Sequence, residues 1–283
     1  MEYSDKTILV TGATGQQGGA ATRHLLEDGW RVRALAHHPD SPQWRRLEQL
    51  GVELVPGDLL DRSSVDRAVD GVYGVFSMQT PMPEGVEAEE TEGKNLAKAA
   101  VDAGVKHFVY NSMAGAESDK GPGYVLSKHH IEEYIESLGL PATIWRPVTF
   151  MENYLGRRDE ILNGQLRNNL WPESMQYLIA VDDIGRFVAL AFRDPQRFIG
   201  KTMAIAGDAM TMEDAALTFS ETLSRQVEFE HVELPNAPAP PRPQPGEIQA
   251  KLADVAECRR LVPDLASLGA WIEATGWPSL IAR

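Results

Sequence analysis

The sequence predicts an α/β fold: a doubly wound parallel sheet followed by a smaller, mostly helical C-terminal lobe on the substrate side. Three observations predict it. Short apolar, β-branched runs alternate with helix-like stretches through the first half, as repeated βαβ units require. A glycine-rich turn falls between the first such run and the first helix pattern, which makes the sheet Rossmann-type. Beyond Pro147 the alternation gives way to helix patterns.

Six parallel strands are expected at residues 7–10, 31–36, 53–55, 74–77, 106–111 and 142–146, each followed by turn residues or a helix start. Between them, helices show a 3.6-residue period, for example Leu96, Ala99, Ala100 and Ala103 ahead of a stop at Gly104. After Pro147, helices are expected around 182–192 and 212–223. Six prolines between 235 and 245 favour extended, unpaired backbone, a loop or lid connector. A helix-like tail then runs from Glu247 to Gly276, Trp277 and Pro278. The domains read as 1–150 for the sheet and 151–283 for the lobe, interleaved as one compact unit. No internal repeat breaks this pattern.

Composition bounds the partners. A chain of 283 residues, 43% hydrophobic and 24% charged, can bury a large core. Asp and Glu outnumber Lys and Arg by 41 to 27 with no basic stripe, so nucleic acid is not an expected partner. The single cysteine, Cys258, cannot form an internal disulfide, and the opening residues lack the basic and apolar regions of a signal peptide. No apolar run approaches the roughly 18 residues of a membrane span. A soluble protein of the reducing cytoplasm is therefore expected, with no membrane partner.

The first strand runs straight into Gly12, Ala13, Thr14, Gly15, Gln16, Gln17 and Gly18, and then into a helix carrying Ala20, Ala21, Leu25 and Leu26. Gly12 allows a tight turn, Gly15 lets backbone N–H groups approach a pyrophosphate, and Gly18 lets helix and strand touch. The helix N-terminus adds partial positive charge. A bare string of three glycines could be an ordinary flexible turn. The preceding strand, the following helix and five further strands favour a dinucleotide cradle instead. At the end of the second strand His37 and His38 stand where a carboxylate would select NAD; they read equally as two solvated turn residues or as a 2′-phosphate contact, and with no carboxylate there NADP(H) is favoured over NAD(H). After the third strand Asp58, with Leu59 beside it, could accept a hydrogen bond from the adenine amino group. Capping of the next helix by Asp61 or Ser63 is the plainer role for that cluster.

Tyr124 and Lys128, four apart at the start of a helix through Ile131, Tyr134, Ile135 and Leu138, share one face. A nearby ammonium favours phenolate over phenol, which eases proton release by a tyrosine acting as general acid in hydride transfer to a carbonyl. Ser112, just past the fifth strand, could orient the carbonyl oxygen. Competing sites are weaker. Ser112 lacks the Gly-x lead of a nucleophile elbow, His129 and His130 point to different helix faces, and no metal is expected. The tryptophans, including Trp145, Trp171 and Trp277, read as core or pocket wall.

These motifs resemble the NmrA-like branch of the atypical short-chain dehydrogenase/reductase superfamily over nearly the whole length. The resemblance rests on the Thr11 to Gly18 turn, Arg33-Ala34-Leu35, Gly57-Asp58, the stretch from Gly104 to Tyr110, Lys128, and Arg146 through Asn153. It implies that Gln79, Thr80, Lys94, Lys128, Phe150, Met151, Glu152 and Asn153 line the nicotinamide half of the cofactor site. Many relatives carry arginine where His37 stands, and many lack a tyrosine at the position of Tyr124. Tyr124 moves this chain toward the catalytic members. The expected function is NADPH-dependent reduction of a carbonyl, quinone or other conjugated small-molecule acceptor. The alternative is a redox sensor that binds NADP(H) without turnover and contacts a regulatory protein; an isomerase or dehydratase with tightly held cofactor would share the same sheet.

Overall fold

A computed structural model describes residues 3–37, 41–118, 121–233, 240–244 and 251–277. In chain order the sheet-forming half comprises β1 (Thr7–Val10), α1 (Gln16–Glu27), β2 (Arg31–Ala36), α2 (Pro42–Gln49), β3 (Glu53–Pro56), α3 (Arg62–Val69), β4 (Gly74–Ser77), α4 (Val86–Asp102), β5 (His107–Asn111), α5 (Gly123–Ser137) and β6 (Ala142–Pro147). There follow β7 (Thr149–Phe150), a 3₁₀ turn (Met151–Arg157), α6 (Arg158–Leu162), β8 (Gln165–Asn168), β9 (Met175–Ile179), α7 (Val181–Arg193), α8 (Pro195–Phe198) and β10 (Thr202–Ile205). The chain continues through β11 (Asp208–Thr211), α9 (Met212–Leu223), β12 (Glu228–His231), α10 (Val255–Leu261) and α11 (Leu268–Ala274).

Two compact units result, one of residues 1–147 and 181–204, the other of 148–180 and 205–283. In the first, seven strands lie in the order β10-β6-β5-β4-β1-β2-β3. The pairs from β3 through β6 are all parallel. The order reverses between β1 and β4, and open α/β sheets bind ligands outside the strand ends at such a switch point. β1 is buried from Ile8 to Val10 and β5 throughout, because helices cover both sides of the sheet. Leu96, Ala99 and Ala100 of α4 enter one core with Val75, Phe108 and Ile131. Gly104, at φ +66°, ends the α4 segment as the spacing predicts.

The six expected strands form, and the structure adds a seventh, β10. Gly200 N–H donates to Ala142 O at 2.7 Å and Ile144 N–H to Lys201 O at 2.8 Å, carrying the chain onto the edge beyond β6. Four residues following a helical stretch offered too little period to mark it. The helix expected at 182–192 also differs in its place. α7 belongs to the sheet unit, where it lies along α1: a Cβ at Gly185 would stand 2.6 Å from the Ala20 carbonyl, so the two backbones touch.

Asp182 opens α7 and receives both Arg23 and His24 of α1. The His24 hydrogen bond, then that of Arg23, holds its carboxyl well below the usual carboxylate range against the opposing effect of burial. A depressed carboxyl pKa contributes stability above its unfolded value and loses it as pH falls toward the folded one. Because Asp182 is 43% exposed the effect is screened. Asp182→Asn is expected to lower Tm by about 2 °C at pH 6, a gap that narrows in thermal melts as the pH falls below the usual carboxylate range.

The second unit keeps the helix expected at 212–223, as α9, but also holds two small sheets, β11-β9-β7 and β12-β8, that the helix patterns hid. Its core gathers Met151, Tyr154, Phe219, Trp271 and Trp277. Thr211 caps α9 through a reciprocal box with Asp214. Cys258 is buried, and burial pushes its thiol up. Of the proline-rich segment, residues 240–244 are described: Pro240 O accepts from Trp171 Nε1 at 2.7 Å, and Arg242 pairs with Glu173. The rest of that segment, and His38, lie outside the described residues. Among the described residues no helix is long and apolar enough to cross a membrane.

Candidate active site

The turn after β1 is built as a cradle. Gly12 takes φ +63°, and a Cβ there would meet Met78 Cε at 2.5 Å. At Gly18 a Cβ would stand 2.2 Å from Gly12 O and 2.7 Å from Thr11 O, both backbone, so helix and turn approach as only glycine allows. Ala13 is buried beneath the turn, while Gly12, Thr14, Gly15 and Gln16 are exposed above it. α1 begins after Gly15 with no side-chain cap and no acidic residue in its first turn. A helix N-terminus of this kind leaves its leading N–H groups without side-chain acceptors.

Two neighbouring strand ends are tied to this turn. Thr11 Oγ donates to Met78 O at 2.9 Å and accepts from Met78 N–H at 2.8 Å, binding the β1 and β4 loops together. Asn111, at the end of β5, donates its amide to Gln17 Oε1. Beside it Ser112 Oγ and Asn111 Oδ1 are buried without a hydrogen-bond partner among the described residues. Buried polar atoms left open at a sheet's carboxyl edge suit a bound polar ligand. The uncapped helix, the glycine cradle and these open atoms together fit a dinucleotide.

Lys128 is almost wholly buried on α5, where its ammonium donates to Gln79 O at 2.7 Å and stands 2.9 Å from Glu89 Oε1. Gln79 follows Met78 directly, so one loop joins the cradle to the lysine. Burial pulls the Lys128 pKa down, while Glu89 and then Glu92 pull it up. The Tyr110 ring lies 5.7 Å from the ammonium. Burial and the Glu89 carboxylate drive the Tyr110 phenol well above its ordinary range, so it remains protonated. Glu92 is pushed up to about 7, chiefly by burial and then by the carboxylates of Asp58, Glu84 and Glu89.

Other expected residues are dispersed. Tyr124 stands in the first turn of α5, 49% exposed, outside the set of groups around the Lys128 ammonium. Lys94 forms a surface cluster with Glu90 and His130 and lies over the Tyr134 ring. His37 Nε2 is 3.5 Å from an Asp58 carboxylate oxygen. Asp58 also accepts from Leu60 N–H, the Leu59 carbonyl accepts from Asn95, and Asp61 supplies the cap of α3. Thr80 is exposed, and its hydroxyl accepts from Met82 N–H at 3.4 Å.

In the second unit Phe150 ends β7, Met151 is fully buried in that unit's core, Glu152 accepts from Trp271 Nε1 at 3.1 Å, and Asn153 is exposed. The sequence reading passed over Glu89, which lay in an acidic stretch of α4. The signal was available: Glu89 stands seven residues before Leu96 on the same buried face, where a carboxylate requires a partner.

Fold and site define a Rossmann-type protein of the short-chain dehydrogenase/reductase superfamily. The NmrA-like family model matches residues 4–257, and the chain belongs to that family. It is similar, at 31% identity over 80% of this chain and 77% of the relative, to (4-alkanoyl-5-oxo-2,5-dihydrofuran-3-yl)methyl phosphate reductase of Streptomyces griseus subsp. griseus. An NmrA-like family domain-containing oxidoreductase of Aspergillus hancockii is 27% identical over 82% of this chain and 77% of its own length. Among solved structures, NmrA, a negative transcriptional regulator in complex with NADP, superposes with a TM-score of 0.78 at 25% identity, covering 97% of this chain and 99% of that one. The Citrobacter sp. triphenylmethane reductase complexed with NADP(H) shares the fold, with a TM-score of 0.77 at 21% identity over 95% of this chain and 99% of that one. The chain is thus linked, at the level of its family, to NAD(P)-binding oxidoreductases.

Proposed function

We propose that this protein is an oxidoreductase that uses NADP(H) in preference to NAD(H) to reduce a carbonyl, quinone or similar conjugated small molecule. The observation that carries the reading is the buried Lys128 ammonium, joined through Gln79 and Met78 to a glycine turn exposed at Gly12, Thr14, Gly15 and Gln16. The backbone from Gly12 to Gly18 would hold the diphosphate, with Gln17 oriented by Asn111. Asp58 and Leu59 would face the adenine, and His37 the 2′-phosphate. Gln79, Thr80 and Lys128 would serve the nicotinamide half.

When bound, the reduced nicotinamide supplies the hydride. Lys128 offers an ammonium whose donors beyond Gln79 O can hold ribose hydroxyls. Tyr124 would give a proton to the acceptor oxygen, which the open Ser112 hydroxyl would orient. In a steady-state assay following NADPH oxidation across carbonyl and quinone acceptors, Tyr124→Phe is expected to lower turnover at least about 100-fold, with NADPH affinity within threefold of the parent. Unchanged turnover in that variant would remove Tyr124 from the chemistry.

A second reading, a nucleotide sensor that contacts a regulatory protein, draws on the exposed setting of Tyr124 and the similarity to NmrA. Sustained NADPH consumption with any acceptor of the panel excludes a pure sensor.

A further inference from the structure

Glu89 is 0% exposed, and its carboxylate meets two groups of α5: Oε1 stands 2.9 Å from Lys128 Nζ, and Oε2 accepts the Ser127 hydroxyl. Burying such a pair is costly, and hydrophobic residues of similar size would serve stability as well or better. Neither residue lies at random in the core. The ammonium is aimed at the carbonyl of Gln79, on the loop that borders the cradle, and the Tyr110 ring limits it from beneath. A lysine this deep in the protein loses its charge unless a carboxylate opposes the desolvation. Glu92 on α4 and Glu132 on α5 also face it, but Glu89 is the carboxylate in contact. Ser127 in turn holds the carboxylate, since its hydroxyl spans Glu89 Oε2 and, at 3.3 Å, the Tyr124 carbonyl.

We propose that Glu89 is a positioning residue of the nucleotide site: it holds Lys128 in place and in the ammonium form, with Ser127 fixing the carboxylate that does so. The proposal deepens the oxidoreductase reading and rests on it for the identity of the ligand, but the Glu89–Lys128 coupling can be tested without any ligand. Glu89 itself meets Lys128 rather than the reacting groups, so it acts through that side chain.

Two readouts decide it. Proton titration of the Lys128 side chain in the free protein, by NMR of ¹³Cε-labelled lysine assigned with Lys128→Met, reports the coupling directly. The pH dependence of NADPH binding, followed by fluorescence, reports its use. Glu89→Gln is expected to move the Lys128 midpoint down by at least about one pH unit and the alkaline limb of NADPH binding with it, a loss of about tenfold in affinity at the pH where the parent still binds. Glu89→Asp, which keeps the charge, is expected to stay within threefold of the parent. Coincident Lys128 midpoints in the parent and Glu89→Gln, or equal effects of Asp and Gln, would overturn the proposal.

Should Glu89→Gln fail to fold, recovery of folding in Glu89→Gln/Lys128→Met supports it, because removing both charges leaves nothing uncompensated. Failure of the double variant as well overturns it in favour of a packing role. A parent protein with no affinity for NADPH would end the proposed function, and the Lys128 titration would still decide the role of Glu89.

Discussion

Gly18→Val is expected to abolish dinucleotide binding, with at least a 100-fold loss of NADPH affinity, and to destabilise the protein by about 1–3 kcal/mol. The cause is local. A Cβ at this position would stand 2.2 Å from Gly12 O, 2.4 Å from the Gly12 carbonyl carbon and 2.7 Å from Thr11 O. These are backbone atoms, and they cannot swing aside as a side chain could. Relief requires α1 to withdraw from the turn, which moves its uncapped N–H groups away from the position proposed for the diphosphate. The branched valine adds further bulk to a helix face already occupied by Ala21 and Thr22. Equilibrium denaturation and an NADPH titration together check the two effects.

Lys128→Met is expected to be the other severe change. It keeps an unbranched side chain one atom shorter but leaves the Glu89 carboxylate, wholly buried, without its counter-ion. Breaking one side of a buried pair costs about 3–5 kcal/mol. A buried carboxylate stripped of its partner is driven toward its protonated form, and a raised carboxyl pKa means stability falls as pH rises from the unfolded value through the folded one. The deficit of Lys128→Met relative to the parent should therefore be smaller at pH 5 than at pH 8. Denaturant titrations at the two values measure it. A deficit independent of pH would show that the loss is one of packing. NADPH turnover with any accepted substrate is expected to fall by at least two orders of magnitude in the same variant.

The parts of this molecule that were legible in the sequence are those where backbone geometry constrains residue type. The strand, turn and helix from Thr7 to Glu27 could be read because Gly12 and Gly18 are required by a positive φ and by a backbone contact, and β-branched runs of the right length recur after it. β10 was not legible, since four residues on a sheet edge carry little periodicity, and β7, with two, carries none. The placement of α7 depended on Gly185 touching Ala20, a pairing 165 positions apart that no local pattern encodes.

The site shows the same division. Lys128 stood out by its spacing from Tyr124, yet its partner proved to be Glu89, from a different helix. An acidic run on α4 reads as a solvated face until the register from Leu96 is extended backward, which places Glu89 and Gly93 on the inner side. Lys94, in contrast, falls on the outer side, among Glu90, His130 and Tyr134.

The central claim, that the turn from Gly12 to Gly18 seats an adenine dinucleotide, is tested most directly by titrating the purified protein with NADPH and NADH while following nucleotide fluorescence, in parallel with Gly18→Val. The account predicts saturable binding by the parent, tighter for NADPH than for NADH, and none by the variant. A parent that binds neither nucleotide, or a folded Gly18→Val that binds as the parent does, would contradict it.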